Sequence, residues 1–304
     1  MNDSSAQAPS RGTTALARQE YSGIGGKVQG LFRRWSRQVG GAKWDEKLQR
    51  VNARENEFGV DPFGLDMEFT RAAVAPILWL YKNYFRVDTH GLQNVPSQGR
   101  VLLISNHSGQ LPFDGVMIGS SLLVEAEPPR MIRAMVEKWV PTLPFASTFF
   151  ARCGQVVGTP ENCRRLLNQE EAILVFPEGA KGISKLYKDA YKLQEFGNGF
   201  MRLALETHTP IVPIAVVGAE EQAPALADLK GVARLLGMPA MPVTLQGLPL
   251  PLPTKYHIYF GEPMEFRGSA DEEDAEVEKK VRQVKTTIQA MLNEGLRERK
   301  HIFW

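Results

Sequence analysis

Cysteine is scarce in this chain: of 304 residues only Cys153 and Cys163 are cysteine, and only five are histidine. Ten positions apart and with no His cluster nearby, the two thiols match no zinc-ligand spacing. They read as structural or incidental thiols in a reducing compartment, and no metal is expected. Long apolar runs are missing too. The longest near the front, residues 72–81, is interrupted by Pro76 and closed by Lys82, short of the roughly 20 residues a spanning helix needs. No Gly-x-Ser-x-Gly elbow occurs, since Gly182-Ile183-Ser184 lacks the closing glycine, and this argues against a serine hydrolase. Charge of one sign is not in excess overall, with 36 basic against 34 acidic residues. No nucleic-acid module accompanies the basic residues, so no nucleic-acid partner is expected.

What is present is an ordinary globular composition, 43% apolar and 23% charged, in a chain long enough to bury a large core. Charge is nevertheless uneven along it. Residues 1–44 carry seven basic side chains against Asp3 and Glu20, a local balance of +5. Ile24, Val28, Leu31, Phe32 and Trp35 fall between them on a helical stripe. A basic amphipathic segment of this kind can lie in the interface of an anionic membrane, or pack one face on the main body. The first fourteen residues are polar and resemble no secretory signal. A cytoplasmic protein, peripheral on a cytosolic membrane face, is the expectation. Asp61-Pro62-Phe63-Gly64 supplies turn chemistry, and a boundary near residue 60 divides an extension, residues 1–60, from a domain, residues 61–304.

Within that domain, strand and helix signals alternate. A helix is expected over 67–81, short strands over 85–88 and 100–105, a helix after Pro112, a strand over 131–135 and a helix over 143–150. Thr159-Pro160-Glu161 reads as an N-cap with proline at the first helical position, giving a helix to about residue 168. A strand over 172–176, a lysine-bearing loop over 181–192, a helix over 199–206 and a strand over 211–217 follow. The fold class is α/β, a largely parallel central sheet flanked by helices. Val277, Val281, Val284, Ile288 and Met291 recur at helical spacing, so 274–299 reads as a long amphipathic helix packed on the body. Residues 235–253 are apolar and proline-rich, unable to continue a helix or pair as a central strand. That composition suits a lipid-facing surface or a covered crossing of the core.

The chemistry-bearing residues follow two of the strands. His107 and Asp114 stand on one short loop after the apolar run 101–105, with Gly109, Pro112 and Gly115 restricting it. Histidine is a usable base near neutral pH when something fixes its tautomer, and Asp114 is the carboxylate placed to do so. By itself, a histidine at a strand end is more often structural, and Asp114 alone would only complement a helix dipole. Phe176-Pro177-Glu178-Gly179-Ala180-Lys181 follows the run 172–175. Its glycine allows a positive-φ turn, and Lys181 is a candidate phosphate partner. Lys185, Lys188 and Lys192 read as a solvated basic loop, and Arg152 is a second candidate cation.

Over roughly residues 85–220 these motifs resemble the glycerolipid acyltransferases of the lysophosphatidic-acid and glycerol-phosphate type. The resemblance rests on Asn106-His107 with Asp114, on Phe176-Pro177-Glu178-Gly179 and on Ile211-Val212-Pro213-Ile214. It implies that His107 deprotonates an acceptor hydroxyl, which attacks the thioester carbonyl of an acyl donor while Asp114 orients the imidazole. It also implies that Asn106, Phe176, Pro177, Glu178, Gly179, Lys181, Arg152 and Pro213 bind substrate. The donor would be acyl-CoA or an acylated acyl carrier protein, a co-substrate with no further cofactor, and the partner surface a lipid membrane. Three departures stand out. Six residues separate His107 from Asp114 where the family usually has four. Ala180-Lys181 replaces Thr-Arg, exchanging a bidentate guanidinium for a point charge. The family's second motif is poorly matched around 149–157. A neutral acceptor, such as diacylglycerol or a long-chain alcohol, and a non-catalytic lipid-binding protein are the alternatives these departures keep open.

Overall fold

The structure is a computed structural model that describes residues 42–51, 54, 56, 57, 59–109, 112–142, 146–229, 242–247 and 250–304. The basic stripe expected over residues 1–44 therefore falls almost wholly outside the described residues, as do positions 235–241, 248 and 249 of the apolar, proline-rich run.

A seven-stranded sheet runs β1 (Asp88–His90), β9 (His257–Phe260), β6 (Ile211–Val217), β2 (Val101–Ser105), β5 (Ala172–Val175), β3 (Ile132–Val136), β4 (Val156–Val157). Neighbours pair in parallel, apart from antiparallel β6 and β9. The pleat sorts alternate residues to opposite faces. Leu102, Ile104, Ile173, Ile211 and Ala215 face α5 (Pro160–Asn168), α7 (Gly199–Thr207) and α8 (Asp274–Glu298). Val101, Leu103, Leu174, Val212 and Ile214 face α3 (Phe113–Val124). The result is the expected largely parallel sheet between two helical layers. A third apolar cluster joins α1 (Ala42–Gln49), through Leu48, to Met67, Val74 and Leu78 of α2 (Met67–Trp79) and to Leu123 of α3.

Local chemistry accounts for several boundaries. Thr159 caps α5, its hydroxyl accepting from the Asn162 amide at 3.2 Å. Asp66 caps α2, accepting from the Phe69 amide at 2.8 Å. Helix α8 buries Val277, Val281, Val284, Ile288 and Leu292 on the body, each worth about 1.5–3 kcal/mol of transfer. It is the amphipathic helix the heptad-like spacing indicates, packed on the domain. Between these, α4 (Ala146–Arg152) and the short α6 (Ala180–Ile183) complete the layers.

The first strand lies later than its pattern suggests, at Asp88–His90 instead of 85–88. Helix α2 continues as a π-helical turn, Leu80–Tyr84, closed by the Phe85 amide on the Leu80 carbonyl. Arg86 then takes a φ of +43°, so the extended conformation cannot begin until the chain has passed it. Of the proline-rich run, Pro242–Thr244 forms β8 and pairs antiparallel with β7 (Ala225–Asp228) in a separate two-stranded sheet.

Candidate active site

Strands β2 and β5 are neighbours in register, Val101 opposite Ala172 and Ile104 opposite Val175. The segments that follow them therefore leave the sheet at the same edge, which brings two motifs about 70 positions apart into one place. His107 leaves β2, and Asp114 sits fully buried in the first turn of α3. The six intervening residues close the contact: His107 Nδ1 lies 2.7 Å from Asp114 Oδ2. Gly109, at φ +72°, lets the loop turn back. Asp114 Oδ2 also accepts from the Ser108 amide at 3.0 Å, and Oδ1 from the Gly115 amide at 2.7 Å. An ionised carboxylate only accepts, so a neutral imidazole in this contact carries its hydrogen on Nδ1 and its lone pair on Nε2. The Phe176 ring stacks on the imidazole, centroids 4.1 Å apart and planes inclined by 21°.

Glu178 points inward. Its Oε1 accepts from the His107 amide at 3.0 Å and its Oε2 from the Gln194 amide at 2.7 Å. Lys185 Nζ sits 3.6 Å from Glu178 Oε2 and 2.9 Å from Glu220 Oε1. Lys185 is thus not part of a solvated basic loop: its side chain is 3% exposed, held between two buried carboxylates. Burial pushes the Glu220 carboxyl above its ordinary range, and the Lys185 charge opposes that shift. Behind this group Arg299 binds Glu221 at 2.6 Å, and the Tyr191 hydroxyl donates to Glu221.

A sequence model of the acyltransferase family matches residues 86–217. An uncharacterised protein of Mycobacterium leprae (strain TN) is 40% identical over 260 residues, covering 82% of this chain and 71% of that protein. The chain belongs to the acyltransferase family. The crystal structure of the 1-acyl-sn-glycerophosphate (LPA) acyltransferase PlsC from Thermotoga maritima superposes with a TM-score of 0.52 at 15% identity. That match covers 89% of this chain and 97% of PlsC. The "DGAT1/2-independent enzyme synthesizing storage lipids" of Gallus gallus is 22% identical over 208 residues, 67% of this chain and 58% of that protein.

In this acyltransferase several residues expected to bind substrate have other work. Asn106 is buried, its Nδ2 donating to the Val216 carbonyl at 3.1 Å and its Oδ1 accepting from the Val216 amide at 2.8 Å. It clamps the end of β2 to β6, and both its polar atoms are spent there. Glu178 is likewise occupied by backbone amides and Lys185. Arg152 binds Asp66 at 2.6 Å and lies over the Phe69 ring, 4.0 Å from its centroid, so it anchors the start of α2. Pro213 is buried within β6 beside Ile104, where its carbonyl accepts from Gly261 at 2.8 Å. Pro177 accepts from the Gly197 amide at 3.1 Å through its carbonyl. Gly179 turns at φ +56°, with the Glu137 carboxylate bordering it. Lys181 remains exposed, 3.6 Å from Glu195.

Lys185, which reads in sequence as solvated, belongs to this cluster, as do Glu220 and Gly182, which the sequence pattern does not single out. A Cβ on Gly182 would lie 2.9 Å from His107 Cβ and 3.0 Å from the His107 carbonyl oxygen, so the bare backbone makes room for His107. Glu220 had a signal: it follows β6 just as Glu178 follows β5, beyond the strand-ending Gly218. Lys185 had none. Both cysteines are free, and burial pushes their thiols up, to about 12 for Cys153 and about 11 for Cys163. Neither is a thiolate near neutral pH.

Proposed function

We propose that this acyltransferase moves a fatty acyl group from an acyl thioester to a hydroxyl of a glycerolipid acceptor, with His107 as general base. The 2.7 Å contact between His107 Nδ1 and Asp114 carries the reading, because it leaves Nε2 free to take a proton. The acceptor hydroxyl gives its proton to Nε2 as its oxygen bonds to the thioester carbonyl carbon. The carbon–sulfur bond then breaks, and the departing thiolate of coenzyme A or acyl carrier protein takes the proton back. Asp114 offsets the imidazolium charge in between. No further cofactor enters this sequence. The acceptor is a lysophosphatidic-acid-like lipid in this reading, in keeping with the substrate named for PlsC. The enzyme would work from the cytosolic face of a membrane, where such acceptors reside; among the described residues no helix is long and apolar enough to cross one.

A neutral acceptor is favoured by a different observation. Arg152 is bound to Asp66, Lys185 is neutralised by Glu178 and Glu220, and the turn at Gly179 is bordered by Glu137. Of the two cations marked out in the sequence for the acceptor, Arg152 is thus committed to Asp66 and Lys181 faces Glu195. The relative named for storage-lipid synthesis points the same way. Purified protein is to be given labelled acyl-CoA, or acylated carrier protein, with lysophosphatidic acid, glycerol phosphate, monoacylglycerol, diacylglycerol and a long-chain alcohol. Transfer that survives His107→Ala undiminished sinks the mechanism. Transfer to neutral acceptors alone replaces the first acceptor by the second.

A further inference from the structure

Arg86 holds together three segments distant in sequence. Its guanidinium donates to the carbonyls of Asn83 at 3.2 Å, Tyr84 at 2.5 Å, Pro253 at 2.6 Å and Phe303 at 2.5 Å. The Tyr84 hydroxyl adds a bond to the Pro251 carbonyl at 2.7 Å, and the Lys255 amide one to the Ile302 carbonyl at 2.8 Å. Arg86 does this from a positive φ of 43°, an unfavourable conformation for a side chain of its size. The staple gathers apolar side chains at the surface: Trp79 (42% exposed), Leu250 (65%), Phe303 (39%) and Trp304 (78%). The rings of Trp79 and Tyr84 lie 6.0 Å apart.

The patch is also cationic. Among the described residues the acceptors on the Arg86 guanidinium are main-chain carbonyls, which leave its charge without a counter-ion. Lys82 and Lys300 are exposed nearby in the chain, while the neighbouring Asp88 is taken up by Lys255 at 2.7 Å. Tryptophans with lysines and an arginine around them suit the boundary between headgroups and acyl chains of an anionic bilayer. Aromatic contacts lead inward from this face. Tyr84 meets Phe85 at 5.1 Å, and Phe85 meets Phe113, the residue before Asp114, at 5.4 Å.

We propose that the surface assembled by Arg86, with Trp79, Leu250, Phe303 and Trp304 as its apolar members, seats the protein on membranes containing anionic phospholipid. This rests on the lipid-acceptor reading for its purpose, but its test involves no turnover, so the two can fail separately. The full chain is sedimented with phosphatidylcholine vesicles, with and without phosphatidylglycerol, and its fluorescence is quenched with brominated lipid. Binding should be stronger to the anionic vesicles, and Lys82→Glu should lower it about fivefold. Leu250→Glu and the pair Phe303→Ser, Trp304→Ser should each lower it about tenfold or more. The quenched fraction of the emission should fall in the pair Trp79→Phe, Trp304→Phe, a readout that a second membrane contact elsewhere in the chain would not supply. The proposal fails if the wild-type chain binds neither vesicle. It fails equally if these variants bind as wild type does and brominated lipid quenches the Trp79→Phe, Trp304→Phe chain as fully as the parent.

Discussion

Glu178 accepts the main-chain N–H of His107 at 3.0 Å. A residue from the segment after β5 thereby fixes the backbone from which the His107 imidazole projects after β2, while Asp114 fixes the ring itself. The imidazole is held from two directions, and the Phe176 ring lies against its face. Such a site has little reorganising to do when substrate arrives.

Replacing His107 by Gln should therefore lower kcat by about 10² to 10⁴-fold, the usual loss on removing a general base. Asp114→Asn keeps the shape but not the charge that offsets an imidazolium, so kcat should fall more than KM rises. Release of free thiol from acyl-CoA, followed by steady-state kinetics, measures both. A His107→Gln enzyme within threefold of wild type would remove histidine from the chemistry.

Lys185 is held between the buried carboxylates of Glu178 and Glu220. Lys185→Met leaves those carboxylates without their cation and should cost about 3–5 kcal/mol. The double change Lys185→Met, Glu220→Gln should recover part of that loss. Urea unfolding of the two variants and the wild type checks the order, and a single variant as stable as the parent would contradict it.

Gly182→Ala places a methyl where His107 Cβ would be 2.9 Å away. The helix containing Gly182 is short, so the displacement falls on the His107 loop. A shift of the base by a fraction of an ångström should reduce kcat by about 10- to 100-fold, with a much smaller change in melting temperature. Comparing turnover with thermal unfolding separates the two effects.

Burial holds the His257 imidazole below its ordinary value of 6.5, against the opposing pull of Asp88. The folded chain then binds fewer protons than the unfolded one as pH drops through this range. The His257 contribution to stability is thus fully present above pH 6.5 and is lost as pH falls through the lower, folded value. His257→Gln should flatten that part of the stability curve, as read from urea midpoints across the acid side of neutrality.

Much of this was legible wherever the cause is local. Thr159 and Pro160 mark the start of α5 within their own few residues, and the alternating apolar runs announce β2, β5 and β6. His107 and Asp114 could be paired because one loop carries both. Lys185 could not be placed, since its burial depends on Glu178 and on Glu220, which arrives from the far side of α7 and β6. The partners of Asn106 and Arg152 are hidden from the sequence for a related reason. These partners, Val216 and Asp66, are more than 80 positions away, and a polar residue spent on a distant backbone or carboxylate looks in sequence like one available to substrate. The late start of β1 follows from the positive φ of Arg86, which no residue type announces.

Strand β9 enters the sheet between β1 and β6, two strands that precede it by a long stretch of chain. It carries Tyr256 at its threshold, whose hydroxyl donates to Gln222 at 2.7 Å; Gln222 in turn lies against Gly109 of the His107 loop. A nascent chain emerging from the ribosome thus exposes both motifs well before the piece that braces them has been synthesised. Until β9 docks, β6 presents an unpaired apolar edge, the kind of surface that invites association with other chains. The site is braced only once β9 has docked, so a product truncated before β9 should be inactive and in need of chaperone protection.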